Sequence, residues 1–172
     1  HYHDHVAVEL DRYHRVTGRP KVHPFILVVA QETEHARRLR QFIESEQFFN
    51  GRFKDKVAEV HSALRGEESE EAMERLVALE QDGRTEIVIH VNMLKEGWDV
   101  TNLYTIVPLR AANARILIEQ SIGRGLRLCV HQNGDRVRGF AVNTLTVIAS
   151  EGYAEYAERA GRVIPVLLAS PA

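Results

Sequence analysis

One cysteine, Cys129, in 172 residues rules out an internal disulfide framework. A lone thiol fits a reducing cytoplasm, where this chain is expected to work, and it reads as a small packing side chain rather than a nucleophile. No apolar run exceeds six residues, far below the roughly 20 needed for a spanning helix. No secretory signal is visible, so no membrane partner is expected. An excess of either charge is also missing: 22 Lys and Arg stand against 24 Asp and Glu, a net charge of −2. Without a global basic field, any nucleic-acid contact must be local or completed by another domain. Aromatics are sparse (6 Phe, 5 Tyr, 1 Trp) and form no evident platform for stacking bases.

Catalytic machinery is missing as well. The chain has no Gly-x-x-x-x-Gly-Lys-Ser/Thr loop to cradle phosphates and place a magnesium ion. It has no Asp-Glu-x-His box to hold that metal and the attacking water. There is no Asp…Glu-x-Lys nuclease triad either, since Asp55 and Lys56 are adjacent and in the wrong context. Internal repeats and low-complexity tracts are absent. The first residue is His1 rather than Met, so the chain is expected to be a piece of a longer protein. His1, His3 and His5 alternate around Asp4, but helical metal ligands would pair at i and i+4, so a mobile, hydrated terminus is expected and no metal site.

What is present suits one domain with a sizeable core: 44% hydrophobic and 27% charged residues. Val6, Leu10, Tyr13 and Val16 recur at helical spacing, which predicts a helix from Asp4 to Thr17 stopped by Gly18 and Pro20. Phe25–Ala30 is a continuous apolar run, as in a strand covered on both faces. A helix follows from Thr33 to Glu46, with Ala36, Leu39, Phe42 and Ile43 inward. Further strands are expected at Lys56–His61, Glu86–Val91, Tyr104–Leu109 and Ala141–Ile148. Helices are expected at Glu67–Gln81, Asn113–Ser121 and Glu151–Ala160, and a turn-rich loop at His131–Asp135. Strands alternating with helices argue for an α/β fold with a mostly parallel sheet and right-handed crossovers. Residues 1–20 are read as an N-terminal helix and linker, and 21–172 as the domain proper.

In such a sheet, ligands gather beyond the carboxyl ends of the strands. Three segments fall there: Gln31-Glu32-Thr33, Asn92 to Asp99, and the helix leading to Gln120-Ser121-Ile122-Gly123-Arg124-Gly125-Leu126-Arg127. Arg124 and Arg127, three apart, project from one side of a helical turn. A guanidinium holds phosphate oxygens through a planar fork of donors. Taken alone, the pair could equally be solvated or matched to Glu119, and Asp99 could be a turn cap. Ser62 and Arg65, after the second strand, are candidate phosphate contacts or plain surface residues.

The combination of a strand, a loop carrying Gly97-Trp98-Asp99, and then Gln-x-x-Gly-Arg-x-x-Arg resembles motifs V and VI of superfamily 2 helicases. Met93-Leu94-Lys95-Glu96-Gly97-Trp98-Asp99-Val100, Ile106-Val107-Pro108-Leu109-Arg110 and Glu119 to Arg127 are closest to the Res subunit of type III restriction enzymes and its DEAD/DEAH-like relatives. The resemblance runs from about Phe25 to Tyr156. It implies a RecA-like three-layer αβα sandwich, the second motor domain of an ATP-dependent helicase or translocase.

The resemblance also implies roles. Arg127 would be the arginine finger on the γ-phosphate of ATP, with Arg124 its companion and Gln120 and Gly123 beside the nucleotide. Gly97 and Asp99 would lie at the ribose, and Asn92, Ser62 and Arg65 along nucleic acid. Magnesium would be held by the missing N-terminal P-loop motor domain, the expected partner within the same protein. The expected polymer is DNA, with RNA left open. Many relatives carry Thr six residues before the motif V glycine; here Val91 stands there, so Asn92 or backbone amides must take that contact. The fragment alone is expected to be inactive. The competing reading is a non-catalytic α/β module that keeps the fold for protein contacts.

Overall fold

The computed structural model describes residues 1–61, 78, 83–91, 102–109, 131–132, 135–136, 142, 146–149 and 166–168. Helix α1 spans Tyr2–Thr17, strand β1 Phe25–Ala30 and helix α2 Thr33–Ile43. A short 3-10 turn at Phe49–Gly51 leads to β2 at Val57–His61. Then come β3 at Ile87–Val91 and β4 at Leu103–Pro108. The two-residue strands β5 (His131–Gln132) and β6 (Asp135–Arg136) form an antiparallel ladder. The last strands are β7 at Thr146–Ala149 and β8 at Val166–Leu168.

Six strands form one sheet in the order β2-β3-β1-β4-β7-β8, and every neighbouring pair is parallel. Strand β1 lies near the middle, with Val28 registered against Ile89 on one side and Val107 on the other. Parallel strands must be covered on both faces, which explains their near-continuous apolar runs. Leu27, Ala30, Val88, Ile89 and Ile106 are completely buried.

Side chains alternate between the faces along each strand, and each face has its own helix. Val28, Ala30, Ile87, Ile89 and Val91 meet Ala36 and Ile43 of α2, with Phe53 and Val57 completing that core. On the opposite face, Tyr104 and Val142 pack with Val6, Leu10 and Tyr13 of α1. The described residues therefore build three layers, α/β/α. Helix α1, grouped with a linker in the sequence reading, lies against the sheet.

Helix α1 stops where Gly18 adopts a left-handed conformation (φ 69°) and its N–H donates to the His14 carbonyl at 2.8 Å. The returning chain is held by Asn102, whose Nδ2 donates to the His23 carbonyl at 2.8 Å and whose own carbonyl accepts from Phe25 N–H at 3.2 Å.

The structure corrects three details. Val16 is exposed, because at about 100° per residue it lies well round the helix from the buried Val6, Leu10 and Tyr13. Phe42 is also exposed; α2 ends at Ile43 rather than Glu46, and the Phe42 ring packs edge-on against Phe48 at 5.4 Å instead of entering the core. His3 is buried while His1 and His5 are exposed, because residues two apart face nearly opposite ways on a helix, so the terminus is ordered by packing. Strand β8 was not anticipated, its three-residue run after Pro165 being too short to show a period. Within the expected helix Glu67–Gln81 only Ala78 is described, and it is helical. The expected helices at Asn113–Ser121 and Glu151–Ala160 lie outside the described residues.

Burial separates two α1 positions. Leu10→Ala, at a site 2% exposed, should cost about 2–5 kcal/mol through lost contacts and a cavity. Val16→Ala, at a site 67% exposed, should stay within about 0.5 kcal/mol. Urea unfolding of both variants checks this; equal small effects would mean that α1 does not dock.

Candidate functional site

All six sheet strands run the same way, so their carboxyl ends share one edge. Side by side there stand His61 of β2, Val91 of β3, Ala30 of β1 and Pro108 of β4. In sequence, Ser62 directly follows His61 and Asn92 directly follows Val91.

The described part of this edge is built around Gln31. Its Nε2 donates to the Leu109 carbonyl at 3.2 Å, while Leu109 N–H donates to the Val29 carbonyl at 3.0 Å. Together these bonds fasten β4 to β1 beyond their ladder. The Gln31 N–H donates to His35 Nδ1 at 3.4 Å, so in the neutral ring the proton sits on Nε2. Glu32 is extended (φ −155°, ψ 168°), and its carbonyl accepts from Ala36 N–H, which starts α2 at this edge. Gln31, Glu32, Thr33 and Glu34 are exposed. The first-turn amides of α2 carry the positive end of its dipole, tempered by Glu34, which faces Arg37 at 3.5 Å and Arg38 at 3.8 Å.

The sequence-derived site residues Arg124, Arg127, Gln120, Gly123, Gly97, Asp99, Asn92, Ser62 and Arg65 all lie outside the described residues. What the structure supplies is the strand order from which their segments depart. Among the described residues, no group of three or more His, Cys, Asp and Glu could hold a metal ion, and no helix is long and apolar enough to cross a membrane.

A charged cluster missed by sequence reasoning occupies the opposite edge. Glu86, just before β3, accepts from Lys56 Nζ through Oε1, while its Oε2 lies 3.4 Å from both Arg52 and His3 Nε2. The same Arg52 nitrogen donates to Asp4 Oδ1 at 2.5 Å, and its guanidinium lies 4.9 Å from the Phe53 ring centre. Burial holds the His3 pKa below its ordinary value despite the neighbouring Glu86. Desolvation pushes Glu86 up, but its cationic neighbours outweigh this and leave it below the usual carboxylate value. The hydrogen bond from Arg52 lowers Asp4. The three segments that supply them, at His3 and Asp4, at Arg52 and Lys56, and at Glu86, lie tens of positions apart, so no local spacing could have signalled their meeting.

The helicase conserved C-terminal domain matches residues 12–129. A stretch of 44 residues is 48% identical to the Res subunit of the type III restriction-modification enzyme StyLTI from Salmonella typhimurium, covering 26% of this chain and 4% of that protein. The solved C-terminal domain of the DEAD-box protein Dbp5 superposes with a TM-score of 0.50 at 16% identity, covering 94% of this chain and 83% of that one. Domain 2 of the DEAD-box helicase Mss116p, solved bound to an RNA duplex, gives a TM-score of 0.49 at 14% identity, covering 99% of this chain and 61% of that one. The three-layer fold with its parallel sheet is thus the RecA-like fold expected from the sequence.

The Gln31 fastening is open to test. Gln31→Ala should lower stability by no more than about 1 kcal/mol, since the bond is exposed to water, yet should accelerate amide exchange at Leu109. An unchanged Leu109 rate would show that the side chain does not join the two strand ends.

Proposed function

Because the chain belongs to the helicase conserved C-terminal domain family, we propose that it is the second motor domain of an ATP-dependent DNA helicase or translocase of the type III restriction Res kind. The observation that carries this reading is the order and spacing of Gly97-x-Asp99 and Gln120-x-x-Gly123-Arg124-x-x-Arg127, both inside the matched span. ATP with magnesium would bind between this domain and a P-loop domain of the same protein, whose loop and acidic residues would hold the metal.

Phosphoryl transfer is mainly positioning and charge stabilisation. Closure would bring Arg127 and Arg124 onto the γ-phosphate, with Gln120 and Gly123 alongside and Gly97 and Asp99 toward the ribose. An arginine finger supplies roughly 10³–10⁵ in rate by meeting charge that develops in the transition state. Hydrolysis would reopen the cleft and shift the two domains along a nucleic-acid backbone touched by Asn92, Ser62 and Arg65. The competing scaffold reading leaves two arginines and the Gly-x-Asp sequence without a purpose.

In the longer protein, Arg127→Ala should abolish turnover while leaving nucleotide affinity within about tenfold, because the guanidinium acts mainly on the transition state. Arg127→Lys should restore little, since an ammonium lacks the planar fork. Single-turnover hydrolysis and nucleotide titration check this pair; an active Arg127→Ala enzyme would end the assignment.

The chain by itself should neither hydrolyse ATP nor bind nucleic acid tightly. It lacks a P-loop and has a net charge of −2, while half of the backbone-tracking groove would belong to the other domain. A malachite-green assay and a fluorescence titration at physiological salt would show this. Sustained nucleic-acid-stimulated turnover, or nanomolar affinity, would contradict the half-motor reading.

A further inference from the structure

We propose that α1 is held on the sheet by an acid-labile latch whose hub is the Glu86 carboxylate. The helix has two kinds of attachment. Its apolar stripe of Val6, Leu10 and Tyr13 packs against Tyr104 and Val142. Its first turn is tied by polar contacts: His3 Nε2 lies 3.4 Å from the Glu86 carboxylate, and Asp4 pairs with Arg52 at 2.5 Å.

The receiving side is rigid. Glu86 N–H donates to the Lys56 carbonyl at 3.0 Å and Glu86 C=O accepts from Ile26 N–H at 2.9 Å, so its backbone is part of the sheet. Arg52 bridges Asp4 and Glu86 with one nitrogen and lies over the Phe53 ring. The charged and titratable side chains facing one another are His3 and Asp4 from α1, Arg52 and Lys56 from the segment before β2, and Glu86 from the start of β3.

At neutral pH this set balances, with two carboxylates set against Arg52 and Lys56 and a neutral, buried His3 among them. Acid removes the balance in a defined direction. His3, Asp4 and Glu86 all titrate below their ordinary values in the docked state. Released α1 therefore takes up protons more readily than docked α1, so docking is complete above the ordinary histidine value and weakens as pH falls through the lowered ones. His3 gives way first: protonation places a cation in a site too buried to hydrate it, beside Arg52. Protonation of Glu86 then removes the acceptor that His3, Arg52 and Lys56 share. Among the described residues the core between β1, β3 and α2 holds no titratable side chain, the buried His90 of β3 lying on the other face, so the α2 side of the sheet outlasts the latch.

Hydrogen exchange of the chain, corrected for intrinsic rates, tests this. At about pH 7, amides of α1 should be protected to within about tenfold of those in β1 and β3. At about pH 5, protection of α1 should fall by at least about tenfold while β1 and β3 keep theirs. Glu86→Gln should give that loss already at neutral pH, and His3→Gln should move it to lower pH. If Glu86→Gln does not fold, Asp4→Arg alone should loosen α1, and pairing it with Arg52→Asp should restore protection. The proposal is overturned if α1 keeps its protection at about pH 5, if α1 and the strands lose theirs together, or if the charge exchange rescues nothing.

Discussion

Two-sided burial of the parallel strands is the constraint on which the rest of this structure depends. Strands β1, β3 and β4 carry apolar side chains on both faces. A sheet of this kind is unstable until both faces are covered. Helix α2 covers one and α1 the other, so neither can be removed without exposing Ile89 and Val91 or Tyr104 and Val142 to water. This gives α1 a structural role that its position at the start of the chain does not suggest.

The same constraint sorts the two edges of the sheet. With every strand parallel, all carboxyl ends lie together and all amino ends lie together. Among the described residues the first edge is polar, with Gln31, Glu32, Thr33 and Glu34 exposed and a light fastening from Gln31 to Leu109. The second is closed by Glu86, Lys56, Arg52, Asp4 and His3. Exposed ion pairs are individually weak. Here several share one carboxylate whose backbone is already fixed by the sheet, and much less side-chain freedom is lost in forming them.

Much of the fold was legible because apolar periodicity is a local signal. Strands β1 to β4 and both described helices fall within a few residues of where the spacing of Phe25–Ala30, Ile87–Val91 and Val6-Leu10-Tyr13 places them. The misses have local causes too. Phe42 fits the inward stripe of α2, yet it lies at a helix end where Phe48 offers a ring to pack on. Val16 stands at the margin of the α1 stripe, turned away from Leu10 and Tyr13, and stays exposed. The family was legible from two short motifs in the right order, both inside the span matched by the helicase conserved C-terminal domain.

By itself, then, the sequence determined the α/β class, the positions of its main elements and the family, since each is written in neighbouring residues. The strand order β2-β3-β1-β4-β7-β8, the docking of α1 and the convergence of His3, Asp4, Arg52, Lys56 and Glu86 were decided only in three dimensions. Pairing between distant strands depends on the total surface each arrangement buries, and contacts between charges 34 or 48 residues apart leave no trace in local spacing.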